Sequence, residues 1–193
     1  MAAVVRAPVQ KKRPGRPRQA KLSAELILTC ALGLCAKSGV GAMTLRSLAR
    51  ELKVDPMAIY HYFPDRKTLL AAALAQAYSE LPAEFTRTRD AAADTLECLE
   101  VYRRILGKQI ELMLYLLGLR NTRLPPLEAF NTSLLANILR LCSSHREAVL
   151  LRDLLIDYTH GFAVAAQHFT PAERRSAEET YRAAVLRILG TAK

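Results

Sequence analysis

The 193-residue sequence has no tryptophan, and aromatic residues make up only 6% of it. Its eight glycines are scattered, and none belongs to a glycine-rich loop that would cradle a nucleotide phosphate. The four cysteines, Cys30, Cys35, Cys98 and Cys142, form no C-x-x-C pair. His61, His145, His160 and His168 do not combine with the acids into a ligand set. Reduced thiols are therefore expected, with no metal site, no cofactor and no disulfide framework. No serine or cysteine nucleophile sits beside a base, so an enzyme is not expected. The longest apolar run, Leu112 to Leu119, is far short of the ~20 residues that cross a bilayer. Residues 1–10 hold only scattered small apolar side chains, which is not the pattern of a signal peptide. A soluble, cytoplasmic protein is the expectation.

What is present is apolar mass and positive charge. The hydrophobic fraction is 51%, enough to bury a core, and the net charge is +10. That charge is uneven. Residues 1–80 carry a balance of +8 and residues 81–193 only +2. A basic excess confined to one segment is the electrostatic footprint of a phosphate-backbone binder. An anionic membrane surface attracts the same charge, but no basic amphipathic stripe accompanies it here.

Within the basic segment, Thr44 to Lys67 carries the clearest pattern. Thr44 is an N-cap residue, and Leu45, Leu48, Ala49 and Leu52 follow at helical spacing. Lys53-Val54-Asp55 is too short for anything but a turn. Asp55-Pro56 then starts a second helix, because Asp caps and Pro suits the first helical position. That helix, Pro56 to about Tyr62, turns Ile59 inward and leaves Met57, Ala58, Tyr60 and His61 outside. Phe63-Pro64-Asp65 ends it and caps a further helix running to about Glu80. Lys67 falls in the first turn of that helix, where free amides and the helix dipole already attract phosphate. A helix, a three-residue turn and a second helix make a helix-turn-helix, whose second helix enters the major groove. Tyr62 and Phe63 are expected to pack into the core. For Arg50 and Lys53 a surface charge and a phosphate contact are both open.

Around this centre, three regions are expected. Residues 1–21 form a basic arm without a single acid. Arg13-Pro14-Gly15-Arg16-Pro17 resembles an AT-hook. Arg13, Arg16 and Arg18 either lie in a minor groove or belong to a tail that adds nonspecific phosphate attraction. Residues 22–80 hold the helix-turn-helix, braced by a helix from Ser23 to Ser38 that ends at Gly39. Residues 81–193 read as helices alone: one capped by Asp94 and running to Leu119, then about Leu127–Cys142, His145–Phe169 and Ala172–Leu189. The helix at 145–169 is apolar around much of its girth and so should be buried on more than one side. The fold class is all-α.

Residues 23–70 resemble the DNA-binding domain of the tetracycline-repressor (TetR) family. The match rests on Gly39-Val40-Gly41-Ala42-Met43-Thr44-Leu45-Arg46-Ser47-Leu48-Ala49, then Val54, Ala58-Ile59-Tyr60-His61-Tyr62-Phe63, Lys67 and Leu70. The resemblance implies a homodimer that binds a double-stranded operator and releases it when a small-molecule effector enters the C-terminal domain. By position, it assigns phosphate contacts to Thr44, Tyr60, His61 and Lys67. Arg46 becomes a base or phosphate contact, with Ser47 beside it, and Pro56, Met57 and Ala58 become the base-reading front. That front is apolar and cannot make bidentate base contacts. Physical reasoning also favours a dimer, since one two-turn helix reads few base pairs. The last two helices are its expected interface, as a four-helix bundle. The effector site is expected among Tyr102, Gln109, Met113, Phe130, Asn137, Tyr158, His160 and Phe162, suiting a mostly hydrophobic molecule; the same residues would otherwise fill a core. The competing function is a nonspecific architectural DNA binder that uses the basic arm.

Overall fold

The computed structural model describes residues 22–82, 85, 87–119 and 124–190. The basic arm, with Arg13, Arg16 and Arg18, lies outside the described residues. Those described form eight α-helices, two 3-10 turns and no strand.

The first four helices build a small unit. Helix α1 (Ala24–Ser38) is capped by Ser23, whose hydroxyl accepts from the Leu26 amide at 3.2 Å. It ends at Gly39, where φ is +78° and ψ 158°, a combination essentially reserved for glycine. A 3-10 turn, Val40–Ala42, leads to α2 (Leu45–Leu52). Helix α3 (Pro56–Tyr60) follows, then α4 (Arg66–Tyr78). Ile27, Ala31, Met43, Leu48, Ile59, Leu69 and Leu70 all point into one core and are fully buried. Burial of each large aliphatic side chain stabilises by about 1.5–3 kcal/mol. The five-residue α3 is too short to be stable alone and depends on this burial.

The second half is organised around α5 (Ala91–Leu117), which packs against α4, α6 (Pro125–Ile138), α7 (His145–Ala165) and α8 (Pro171–Gly190). Ser144 caps α7 by accepting from Glu147 N. Thr170 and Glu173 cap α8 reciprocally, with Thr170 N donating to Glu173 Oε2 at 2.8 Å.

Four expectations need correction. Asp94 does not cap α5. Asp90 does, accepting from the amides of Ala92 and Ala93 at 3.0 Å each. Asp94 lies one turn inside, buried, where it accepts from the Thr88 hydroxyl at 2.7 Å and from Arg140 Nη1 at 2.7 Å. These bonds hold its carboxyl below the usual carboxylate range, the Thr88 hydroxyl first and Arg140 next. Helix α6 starts earlier and ends sooner than expected, because Pro125 takes its first position. Tyr62 lies beyond α3 and is exposed rather than packed in the core, with its hydroxyl donating to Leu22 O at 2.9 Å; Phe63 is buried as expected. Finally, the apolar girth of α7 is only partly covered. Leu150 is 63% exposed and Leu154 53%.

Candidate nucleic-acid interface and effector site

The start of α2 and the turn between α2 and α3 are fixed by short-range bonds. Thr44 Oγ1 accepts from Ser47 N at 3.0 Å, and Ser47 Oγ accepts from Thr44 N at 2.8 Å. The Ser47 hydroxyl thus serves the cap, which is not visible from its place in the motif. Lys53 closes α2 in the left-handed conformation, φ +55°. Asp55 Oδ1 accepts from Met57 N at 2.7 Å and starts α3, with Pro56 at the first helical position. Ile59 anchors α3 beneath.

Most of the predicted residues are open to solvent, and three of them, Thr44, Arg46 and Tyr60, line one groove. Met57 is 61% exposed and Tyr60 45%. Thr44, Arg46, Arg50, His61 and Lys67 are exposed, while Pro56, Ala58 and Ser47 are half-buried. An open groove lined by Thr44, Arg46, Arg50, Tyr60 and Pro64 runs between the starts of α2 and α4 and the end of α3. At the start of α4 the amide of Thr68 donates to Asp65 Oδ1 at 2.7 Å. That amide bond, first among the causes, lowers the Asp65 carboxyl pKa. The helix start is therefore already partly neutralised by its own cap.

Behind this surface stands Arg66, which the sequence reading passed over. Its Nε donates to Met43 O at 2.7 Å, its Nη2 to Val40 O at 2.5 Å, and its Nη1 to the Tyr115 hydroxyl at 2.6 Å. The guanidinium also lies 4.9 Å from the centre of the Tyr115 ring. One residue thus ties the loop before α2 to the far end of α5. Its place in the first turn of α4 gave no signal, because its partners are a distant tyrosine and two backbone carbonyls.

The expected effector residues divide into two groups. Tyr102, Phe130 and His160 come together. Tyr102 stacks on Phe130 at 4.7 Å, and its hydroxyl lies 2.7 Å from His160 Nε2. Burial lowers the His160 pKa against the opposing pull of Asp157. Nearby on α6, buried Asn137 donates to Cys98 Sγ at 3.4 Å, and its Oδ1 has no partner among the described residues. Burial pushes the Cys98 thiol up to about 12. Met113 is buried, and Tyr158 stacks on Tyr181 at 5.5 Å. These residues fill the interior between helices.

Open volume lies elsewhere. A cavity of about 480 Å³ separates α5 from α7 and α8 and takes in Phe162. A smaller one, about 110 Å³, is lined by Gln109 together with Cys35 and Val40 of the first unit. Gln109 is also the kink of α5, with φ −127° and ψ 17°. Gln167 Nε2 donates to Gly107 O at 3.1 Å beside it and lines both cavities.

Comparisons with known proteins agree with this geometry. Residues 27–73 match the family described as bacterial regulatory proteins, tetR family. No curated protein matches the sequence. Among solved structures, the chain is similar to BioQ from Mycobacterium smegmatis, with TM-score 0.72, 19% identity, and 89% of this chain and 98% of that one covered. A structure of BioQ with its double-stranded DNA operator gives 0.65 at 21% identity, covering 84% and 99%. ActR from Streptomyces coelicolor, in complex with (S)-DNPA, gives 0.67 at 17% identity, covering 90% and 100%. At these identities the likeness is one of fold.

Proposed function

From its place in the tetR family of bacterial regulatory proteins, which residues 27–73 carry, we propose that this chain is a ligand-responsive transcriptional repressor. It acts in the cytoplasm, binds a palindromic operator as a homodimer, and is released by a small, mostly hydrophobic molecule. Residues 22–80 form its DNA-binding unit, and residues 81–193 its effector and dimerisation unit, with the arm of residues 1–21 adding phosphate attraction. The observation that carries the reading is the exposure of Thr44, Arg46, Met57, Tyr60, His61 and Lys67, with Thr44, Arg46 and Tyr60 lining one open groove, on helices anchored by a fully buried Ile59. Such a helix pair leaves α3 free to enter a major groove while α2 and the start of α4 meet the backbone. Structures similar in fold hold an operator in one case and a small molecule in another, which supports extending both properties to this chain.

Dimerisation rests on the outer faces of α7 and α8. Leu150, Leu154, Gly161 and Val164 on α7, and Ala183, Leu186 and Gly190 on α8, are exposed in the single chain. Each set follows helical spacing. Two such pairs of helices would cover one another as a four-helix bundle. Operator release requires an effector that binds the two dimer geometries with different affinity. In vitro selection of DNA from a random library tests the reading. A nonspecific architectural binder would enrich no motif.

A further inference from the structure

The cavity between α5, α7 and α8 carries an unusual balance of charge for a helical interior. Arg103, Arg104, Lys108 and Arg174 line it, against only Glu80 and Glu178. Glu178 is already engaged, its Oε1 lying 3.2 Å from Arg103 Nη1. Among the described residues, no ion pair reaches Arg104, Lys108 or Arg174. A concave site lined by one sign of charge concentrates the opposite sign. Arg104 and Lys108 stand four residues apart on α5, so both project to the same side.

Arg103 is held in place by aromatic faces. Its guanidinium lies 5.4 Å from the centre of the Phe162 ring and 5.3 Å from that of Tyr181. Its Nε is buried and has no hydrogen-bond partner among the described residues. A buried guanidinium donor left unpaired is costly, and a fixed planar fork suits a carboxylate. Apart from Gln167 the rest of the wall is apolar, with Phe162, Ile105, Val101 and Ala163. A bare inorganic anion would leave that wall uncovered in a space of about 480 Å³.

We propose that this cavity binds a small organic carboxylate with a flat apolar body. The carboxylate meets the face made by Arg103, Arg104 and Lys108, and the body lies against Phe162. This rests on the regulator reading and narrows its effector from a mostly hydrophobic molecule to an amphipathic acid. The position suits the role. Gly107, Lys108 and Gln167 also line the smaller cavity that reaches Cys35 and Val40. The kink at Gln109 separates the carboxylate-facing stretch of α5 from the stretch that holds Arg66. An occupant of the cavity therefore lies against the joint between the two units.

The test is a calorimetric titration of the full-length protein with 1-naphthoate, its neutral amide 1-naphthamide, and inorganic phosphate. Naphthoate is expected to bind at least tenfold more tightly than either comparison probe. The exposed pair of substitutions Arg104→Gln and Lys108→Gln should weaken it about tenfold or more, as expected for loss of charge-assisted contacts, with the melting temperature of the free protein retained. Equal binding of naphthoate and naphthamide, or no effect of the double substitution, overturns the proposal. So does phosphate binding as tightly as naphthoate, which would mark a simple anion site. Sequence-selective DNA binding by the ligand-free protein is measured separately. Its presence without naphthoate binding removes this site and leaves the regulator. Its absence beside naphthoate binding removes the regulator and leaves the site.

Discussion

Arg66, in the first turn of α4, donates to the hydroxyl of Tyr115, near the end of α5, at 2.6 Å, while its other nitrogens hold the carbonyls of Met43 and Val40. The same guanidinium therefore fixes the loop that presents α2 and the helix that leads from the cavities. Tyr115→Phe removes the hydroxyl and keeps the ring, and should cost about 1 kcal/mol of stability. Arg66→Met strands two backbone carbonyls as well and should cost about 2–3 kcal/mol. Urea midpoints of the two variants check the order; two midpoints equal to the wild type would show that the bridge contributes nothing.

Tyr60 is exposed on the helix-turn-helix surface and has no structural duty in the core. Tyr60→Ala should weaken binding roughly tenfold, to every DNA sequence alike, since a phosphate contact positions without reading bases. The dimer should remain intact by sedimentation. A wild-type affinity for this variant would remove Tyr60 from the interface.

Lys53 sits at φ +55°, a conformation that costs an ordinary residue roughly 1–2 kcal/mol. Lys53→Gly relieves that cost but loosens the unfolded chain by roughly 0.5–1 kcal/mol. The net expectation is a gain of about 0.5 kcal/mol in thermal or urea unfolding. A stabilised variant with weakened DNA binding would assign the lysine charge to a phosphate. A loss of stability would instead mean that the side chain supports the turn.

His160 has its pKa lowered by burial, with Asp157 opposing. The unfolded chain, with an ordinary histidine pKa near 6.5, binds the proton more readily than the folded one. Stability is therefore fully present above about pH 6.5 and is lost as the pH falls through the folded pKa. His160 Nε2 also lies 2.7 Å from the Tyr102 hydroxyl. Urea midpoints should fall from pH 7 to pH 5 in the wild type and fall less in His160→Gln. Parallel profiles would show that His160 does not titrate on folding.

The helix-turn-helix was legible because its signals are local. Thr44, Asp55-Pro56 and Asp65 each start a helix through bonds that span two or three residues. Such spacing is visible in a sequence. Asp94 misled for the same reason. It is an acid near a helix start, but Asp90 stands one turn earlier, and the partners of Asp94 include Arg140, 46 residues away. Arg66 and Tyr115, 49 residues apart, were equally silent. In the second half, periodicity identified helices but not which apolar side faces a void. Phe130 and Met113 looked like pocket walls and pack as interior, whereas the cavity beside Phe162 is bordered by arginines, which periodicity cannot tell from surface charge.

The central claim is that two copies of α3 read one operator. In vitro selection from random duplexes at physiological salt should enrich a two-fold symmetric motif. Its half-sites should lie about one helical turn apart, roughly 34–36 Å, or a multiple of it. Binding to that duplex should exceed binding to a scrambled one, and the ratio should persist as salt is raised, because base contacts are less salt-dependent than phosphate attraction. Recovery of no motif, with selected and scrambled duplexes bound equally at every salt concentration, would contradict the account.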